Sequence, residues 1–252
     1  MDAPIAIVGR GRLGRTLAAL LPPAGIEVRL LAHTDPVPDD ADLVLLCVPD
    51  AAVADTAGRV PVGPVVAHCA GALDLGVLAH HPPERRASFH PLMTFPGPEV
   101  AVPDLAGAPV AVAGAPEAAA RVAALGERLG MRPFAVPGDR RLYHAAAVMA
   151  GNCATVLLAE ASRVLAAAGV PLEQAPALLA PLAVASIRNA AAEGPARALT
   201  GPIARGDHGT LAAHREALLA GGLADVLPVY DTLVKHGLDL RRLPERGGGE
   251  VP

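Results

Sequence analysis

Three glycines in Gly9-Arg10-Gly11-Arg12-Leu13-Gly14, set directly behind the apolar run 4–9 (PIAIVG), have the spacing needed to hold a pyrophosphate. The first glycine permits a tight turn, the second lets the backbone approach the anion, and the third lets the next helix pack on the strand. A helix starting there, through Leu13, aims unpaired N–H groups and a partial positive charge at the same point. An NAD site usually sets a carboxylate about 20 residues further on, at the end of the second strand, to take the ribose hydroxyls. Leu31-Ala32-His33-Thr34 stands there instead, and Asp35 follows two residues late. His33 and Thr34 can donate to a 2′-phosphate, and Arg10 and Arg12 add charge in the turn, so NADP (NADPH) is the expected cofactor. Arginines that are merely solvated are the alternative for the last two.

More chemistry-bearing residues fall at the ends of later strand-like runs. Val48 and Pro49 close the third run and are placed beside the nicotinamide; His68 and Gly71, in His68-Cys69-Ala70-Gly71, close the fourth and line the same edge. His90 follows the fifth run in Phe89-His90-Pro91. Its ordinary pKa suits proton transfer at neutral pH, which makes it the candidate general acid with a pH limb near 6 to 7. A histidine that only pins the loop through Pro91 is the alternative. Thr94 is a candidate substrate contact in that loop.

His144 and Asn152 lie on one long apolar stretch, eight residues apart, roughly 80° around and about 12 Å along a regular helix. Both are catalytic candidates, and an amide in so apolar a helix must find partners. Thr200 and Arg205 are candidate substrate contacts, Arg205 as a two-pronged donor to a carboxylate. A plain Arg205–Asp207 turn is the alternative. Asp207 or Thr210 can cap the helix that follows.

The elements that must position these residues alternate. Strand-like runs at 4–9, 26–32, 42–48, 64–69, 86–90, 108–113 and 132–136 are separated by helical stretches, notably 13–21 and 116–129. This predicts an α/β fold with a parallel, doubly wound sheet. Beyond Gly138 only helical patterns remain, at 140–168, 171–193, 207–220 and 223–237. The expected organisation is a Rossmann dinucleotide-binding domain over 1–138, an all-helical substrate and dimerisation domain over 139–243, and a loose tail over 244–252.

Bulk properties exclude other classes. The charge of −4, the absence of any Lys/Arg block, 2% aromatics and no tryptophan argue against a nucleic-acid partner. Cys47, Cys69 and Cys153 sit in apolar runs and are expected as buried, reduced thiols; no Cys/His spacing suits a metal. No basic, apolar leader precedes the first strand, and the apolar stretch 142–168 is broken by His144, Asn152, Glu160 and Arg163. A cytoplasmic protein with no membrane span is expected. The apolar helix 140–168 is expected to be covered, which predicts a homodimer.

The segments SFHPLMTF (88–95), LYHAAAVMAGN (142–152) and ALTGPIARGDHGTLAAHREAL (198–218) resemble the signatures of the Rossmann-like plus DUF2520 family over essentially 4–243. That family sits with 6-phosphogluconate dehydrogenase, ketopantoate reductase and pyrroline-5-carboxylate reductase. The resemblance implies an NADP-dependent oxidoreductase reducing a small carbonyl acid (2-oxo-acid or ketopantoate-like) in the interdomain cleft. A pyrroline-type imine reductase and a non-catalytic dinucleotide-binding or sensor protein are the alternatives. Hydroxyacid dehydrogenases of the wider group carry lysine four residues before the asparagine on their first long helix. Here Val148 stands there, and Lys235 is the sole lysine, so another group must supply the proton.

Overall fold

Ile5–Val8 (β1), Leu43–Leu46 (β3) and Val65–His68 (β4) are each buried at every position, as their unbroken apolar runs require of strands covered on both faces. The computed structural model describes residues 4–242. With Val28–Leu31 (β2), Arg86–Pro91 (β5), Pro109–Gly114 (β6) and Arg132–Ala135 (β7) they form one seven-stranded sheet in the order β2-β1-β3-β4-β5-β6-β7. The expected tail 244–252 lies outside the described residues.

Odd and even positions of the strands separate into two cores. Ile5, Ile7, Leu43, Leu45 and Phe89 pack under Leu17 of α1 (Arg12–Leu20) and Val122 of α3 (Pro116–Arg128). Ala6, Val8, Val44, Leu46 and Val66 pack under Val53 of α2 (Val53–Ala57) and Leu78. The period of two along a strand dictates this split.

One pairing departs from the expected all-parallel sheet: β5 and β6 run antiparallel, with His90 opposite Ala111. The connection between them, 92–108, contains no helix, and Pro96, Pro98 and Pro103 punctuate it. A parallel return needs a crossover, usually helical; this segment instead lets the chain turn back alongside.

The chain divides into two compact units, up to Gly151 and from Asn152. The first also holds α4 (Arg140–Val148), capped by Asp139, whose carboxylate accepts from Arg141 N–H at 2.8 Å. A π-helical turn, Met149–Cys153, follows directly. The second unit contains α5 (Ala154–Ala167), α6 (Ala175–Glu193), α7 (Pro195–Ala198), α8 (Gly201–Arg205), α9 (His208–Ala220) and α10 (Leu227–Leu240). Leu218, Leu223 and Val226 form its small core.

By length and composition, two helices, Arg140–Ala167 and Ala175–Glu193, are apolar enough to cross a membrane, with mean hydropathy 1.4 and 1.2. The second was not anticipated, because alanine raises mean hydropathy without making a segment look like a span. Cys153 corrects another expectation: it is exposed, since the helical turn that carries it is not covered.

Candidate active site

The carboxyl ends of β1, β2, β3 and β4 share one edge of the sheet, because these strands are parallel. At the first of them Gly9 has φ +120°, and a Cβ there would collide with the carbonyl of Cys47. A Cβ on Gly14 would collide with the carbonyl of Gly9, so this glycine is the close helix–strand contact. Gly11 differs. Its φ of −72° suits any residue, and no atom lies within 4 Å of where a Cβ would stand. Neither backbone nor packing demands glycine there, whereas an approaching ligand would. Gly11 is also the N-cap of α1 and has no side chain to cap the first-turn N–H groups. The turn therefore fits a pyrophosphate.

Arg10, Arg12, His33 and Thr34 are exposed around this turn, and Val48 packs against Gly9, with Pro49 exposed beside it. Asp35 is a surprise. Its carboxylate folds back to the end of β2, accepting from Ala32 N–H at 2.8 Å and from Arg10 Nη2 at 3.1 Å. Counting along the chain hid this, because a turn at 33–35 returns the side chain to the strand terminus. Beneath the turn, Cys47 and Cys69 bring their sulfurs to 3.7 Å. The hydrogen bond with Cys47 and burial hold the Cys69 thiol well above its usual pKa.

The second cluster stands at the ends of β4 and β5. His68 and Ser88 are register partners, and His90 lies two residues beyond Ser88 on the same face. Over them α4 places Arg140, Tyr143 and His144. His90 Nδ1 is 2.6 Å from Tyr143 Oη, with the rings edge to face at 5.5 Å. The His144 ring centre is 6.1 Å from that of His90. A side chain at Gly71 would collide with the His144 ring and reach 2.9 Å from His90 Nε2, so glycine lets both rings close on the loop after β4. His68 is fully buried, with no well-formed hydrogen bond at either ring nitrogen, though backbone of Ala70 and Asp74 lies close.

Burial, then the neighbouring Arg140 and His144 charges, push the His90 pKa down to about 4. Burial and Arg140 do the same to His68, also to about 4. A pH limb near 6 to 7 is therefore not expected from His90, which is neutral at pH 7. Burial raises the Tyr143 phenol against the pull of Arg140. A neutral His90 with its proton on Nδ1 donates to Tyr143 Oη, leaving the phenol O–H to point elsewhere. Such a pair can orient and replace a proton. Tyr143 went unnoticed in the sequence although it adjoins His144 in the quoted motif; its partner lies 53 residues away.

The remaining candidates lie on other elements. Thr94 is exposed in the loop after β5. Asn152 is exposed within the π-turn, whose wider winding breaks the regular 100° spacing on which its phase against His144 was reckoned. Thr200 is the N-cap residue of α8, and Arg205 ends that helix, exposed. Asp207 caps α9, accepting from Thr210 N–H at 3.0 Å and from its hydroxyl at 2.7 Å.

Residues 108–236 match the profile of the family described as Domain of unknown function (DUF2520). No curated protein matches the sequence. Among solved structures, a protein of Bacteroides fragilis, provisionally described as an NADP oxidoreductase, is 24% identical with TM-score 0.77, over 94% of this chain and 98% of that one. The 1-pyrroline-5-carboxylate reductase of Streptococcus pyogenes is 17% identical with TM-score 0.61, over 94% of this chain and 98% of that one. A reductive aminase of Aspergillus terreus, in complex with NADPH and ethyl levulinate, is 16% identical with TM-score 0.63, over 99% of this chain and 97% of that one. At such identities the likeness carries the fold: a Rossmann domain followed by a helical one.

Proposed function

We propose, from the premise that this chain belongs to the DUF2520 family, that it is an NADP-dependent oxidoreductase reducing the carbonyl of a small 2-oxo-acid or ketopantoate-like substrate. The observation that carries this reading is the pairing, in one unit, of the open glycine turn with the His90–Tyr143 pair at the ends of strands of the same sheet. The names of the structural relatives, which include an NADP oxidoreductase and an NADPH complex, support it.

NADPH, when bound, supplies the hydride. Gly9, Gly11 and the N–H groups of Arg12, Leu13 and Gly14 would hold its pyrophosphate. Arg10, Arg12, His33 and Thr34 would surround the 2′-phosphate, and Val48 and Pro49 would border the nicotinamide. Gly71, backed by buried His68, keeps the loop after β4 close to His90. Tyr143 hands a proton to the reacting atom while His90 orients it; His144, Asn152, Thr94, Thr200 and Arg205 are the further substrate-side candidates. Residues 1–138 serve the dinucleotide, and 139–243 serve substrate and dimerisation.

One observation favours a pyrroline-type imine as a second reading. His90 is neutral at pH 7 and no lysine replaces it, while an imine can arrive already protonated and asks less of the acid. Mixing purified protein with NADPH and a panel of 2-oxo acids and cyclic imines, and following cofactor oxidation, separates the readings. Oxidation by the oxo acids alone supports the first, and by imines alone the second. Tight NADPH binding with no oxidation by either leaves a dinucleotide-binding protein, and no binding of NADPH sinks all three.

Asp35→Ala should raise the preference for NADPH over NADH by roughly 5- to 10-fold, about 1 kcal/mol, since it removes a carboxylate from the ribose end and releases Arg10 for the phosphate. Calorimetric titration of both cofactors reads this ratio; if it does not move, the Arg10–Asp35 pair is not at the ribose.

The protein is read as cytoplasmic and homodimeric, with Leu142, Met149 and Val156, at least 58% exposed on the apolar stretch 140–167, meeting a second copy. Light scattering without detergent should return twice the mass of one chain. A monomer, or a need for detergent, rules this out.

A further inference from the structure

Helix α4 sets Arg140 against a patch of sheet that offers it no carboxylate. Its Nη2 donates to the carbonyl of Ala70 at 3.3 Å, its guanidinium lies 5.7 Å from the centre of the Tyr143 ring, and Nε and Nη1 are enclosed without a partner. His68 on β4 and His90 on β5 feel its charge, and both are held neutral partly by it. Ser88, beside His68 in the sheet, buries a hydroxyl that also lacks a partner. The two nearby carboxylates are engaged elsewhere: Asp139 holds Arg141 at 2.6 Å, and Asp74 accepts from Gly76 N–H at 2.8 Å. A guanidinium keeps its charge at any working pH, and leaving it half-buried without a counter-charge is costly. A groove of about 600 Å³ has Arg140 in its lining, with Ala72, Leu73 and Asp74 of the loop after β4, Val77 of the 3₁₀ turn that follows, and Asp139 and Arg141.

We propose that Arg140 receives the carboxylate of the substrate through this groove, and that the bound anion readies the His90–Tyr143 pair to deliver a proton. This rests on the oxidoreductase reading and names the residue that selects acids for it. The planar fork of N–H groups suits a carboxylate, and neither Asp74 nor Asp139 is bonded to it. The anion cancels the Arg140 field that disfavours imidazolium at His90. The other titratable groups facing His90 are Tyr143 and His144 on α4; on β4, His68 pairs with Ser88, two residues earlier, and β6 sets Ala111 across from His90. Once protonated, His90 gives its Nδ1 proton to Tyr143 Oη as the phenol proton passes to the reduced oxygen or nitrogen. Neutral His90 and intact Tyr143 remain.

The test needs no NADPH. Histidine resonances of the ¹⁵N-labelled full chain are titrated with pH, with and without propionate. Propionate should raise the His90 pKa saturably by about one unit, a tenfold gain in proton affinity, and propionamide should leave it unmoved. In Arg140→Gln the His90 pKa should start higher and stop responding to propionate. Arg140→Lys keeps the charge but loses the fork, so propionate should bind about tenfold more weakly; it keeps the test readable if the glutamine variant does not fold. The rival anchor is examined by Arg205→Gln, which should retain the full response. The proposal is overturned if propionate fails to move wild-type His90, if it moves Arg140→Gln equally, if inorganic phosphate does the same as propionate, or if Arg205→Gln abolishes the effect. Failure of NADPH to bind, with the propionate response intact, would instead overturn the oxidoreductase reading and leave an acid-binding site.

Discussion

Tyr143→Phe should lower kcat by about 10²- to 10⁴-fold, the usual contribution of a positioned proton donor, once a substrate from the panel is in hand. The change removes one oxygen, the atom 2.6 Å from His90 Nδ1, and keeps the ring that packs edge to face on His90 and Phe134. NADPH affinity should stay nearly constant, because the glycine turn is untouched. His90→Gln should lose a similar factor, and the double variant little more than either alone, since the two groups act as a unit. Multiplying losses would mean independent roles. If Tyr143→Phe turns over at the wild-type rate while His144→Gln does not, the proton comes from His144 and the Tyr143 hydroxyl is structural. If all three variants turn over normally, a water held by Asn152 becomes the donor to examine.

Acid should destabilise this protein well above the range where carboxylates titrate. In the unfolded chain the imidazoles of His68 and His90 take up protons near pH 6.5; in the folded protein burial and Arg140 hold both to about 4. Between those values the unfolded state binds protons that the native state excludes, so stability rises with pH across the window. The stabilisation is fully present above pH 6.5 and is lost as the pH falls toward 4. At 1.36 kcal/mol per unit, each histidine contributes up to about 3 kcal/mol, a large part of a typical domain's stability. Asp139, held by Arg141 to about 2, loses its contribution only below its ordinary 3.8, which separates the two effects. Urea unfolding of the wild type should show a midpoint that falls steadily from pH 7 to pH 4.5. A flat midpoint over that range would mean the two histidines are not buried as neutral groups.

Much of the architecture was legible in local sequence. All seven strands fall within the strand-like runs of the sequence, give or take a residue at their ends. The glycine turn appears where its spacing follows a strand and opens a helix. Those features depend on near neighbours: the period of two along a strand, the φ a glycine can adopt, the N–H groups a helix start leaves open. The short helices α7 and α8 and the π-turn were not legible, because Ala-rich sequence supports several windings about equally well.

The direction of β6 and the composition of the site were decided only in three dimensions. Whether the chain returns parallel or antiparallel after β5 depends on what the connection over 92–108 can build, and no strand pattern encodes that. Asp35 looked two residues too late because distance along the chain was taken for distance in space. Tyr143 meets His90 across 53 residues of sequence, and Arg140 reaches the loop after β4 across 70. The protonation state of His90 is likewise a tertiary property. The residue type supplies an imidazole that titrates near neutrality; desolvation and a neighbouring guanidinium make it a neutral partner for a phenol.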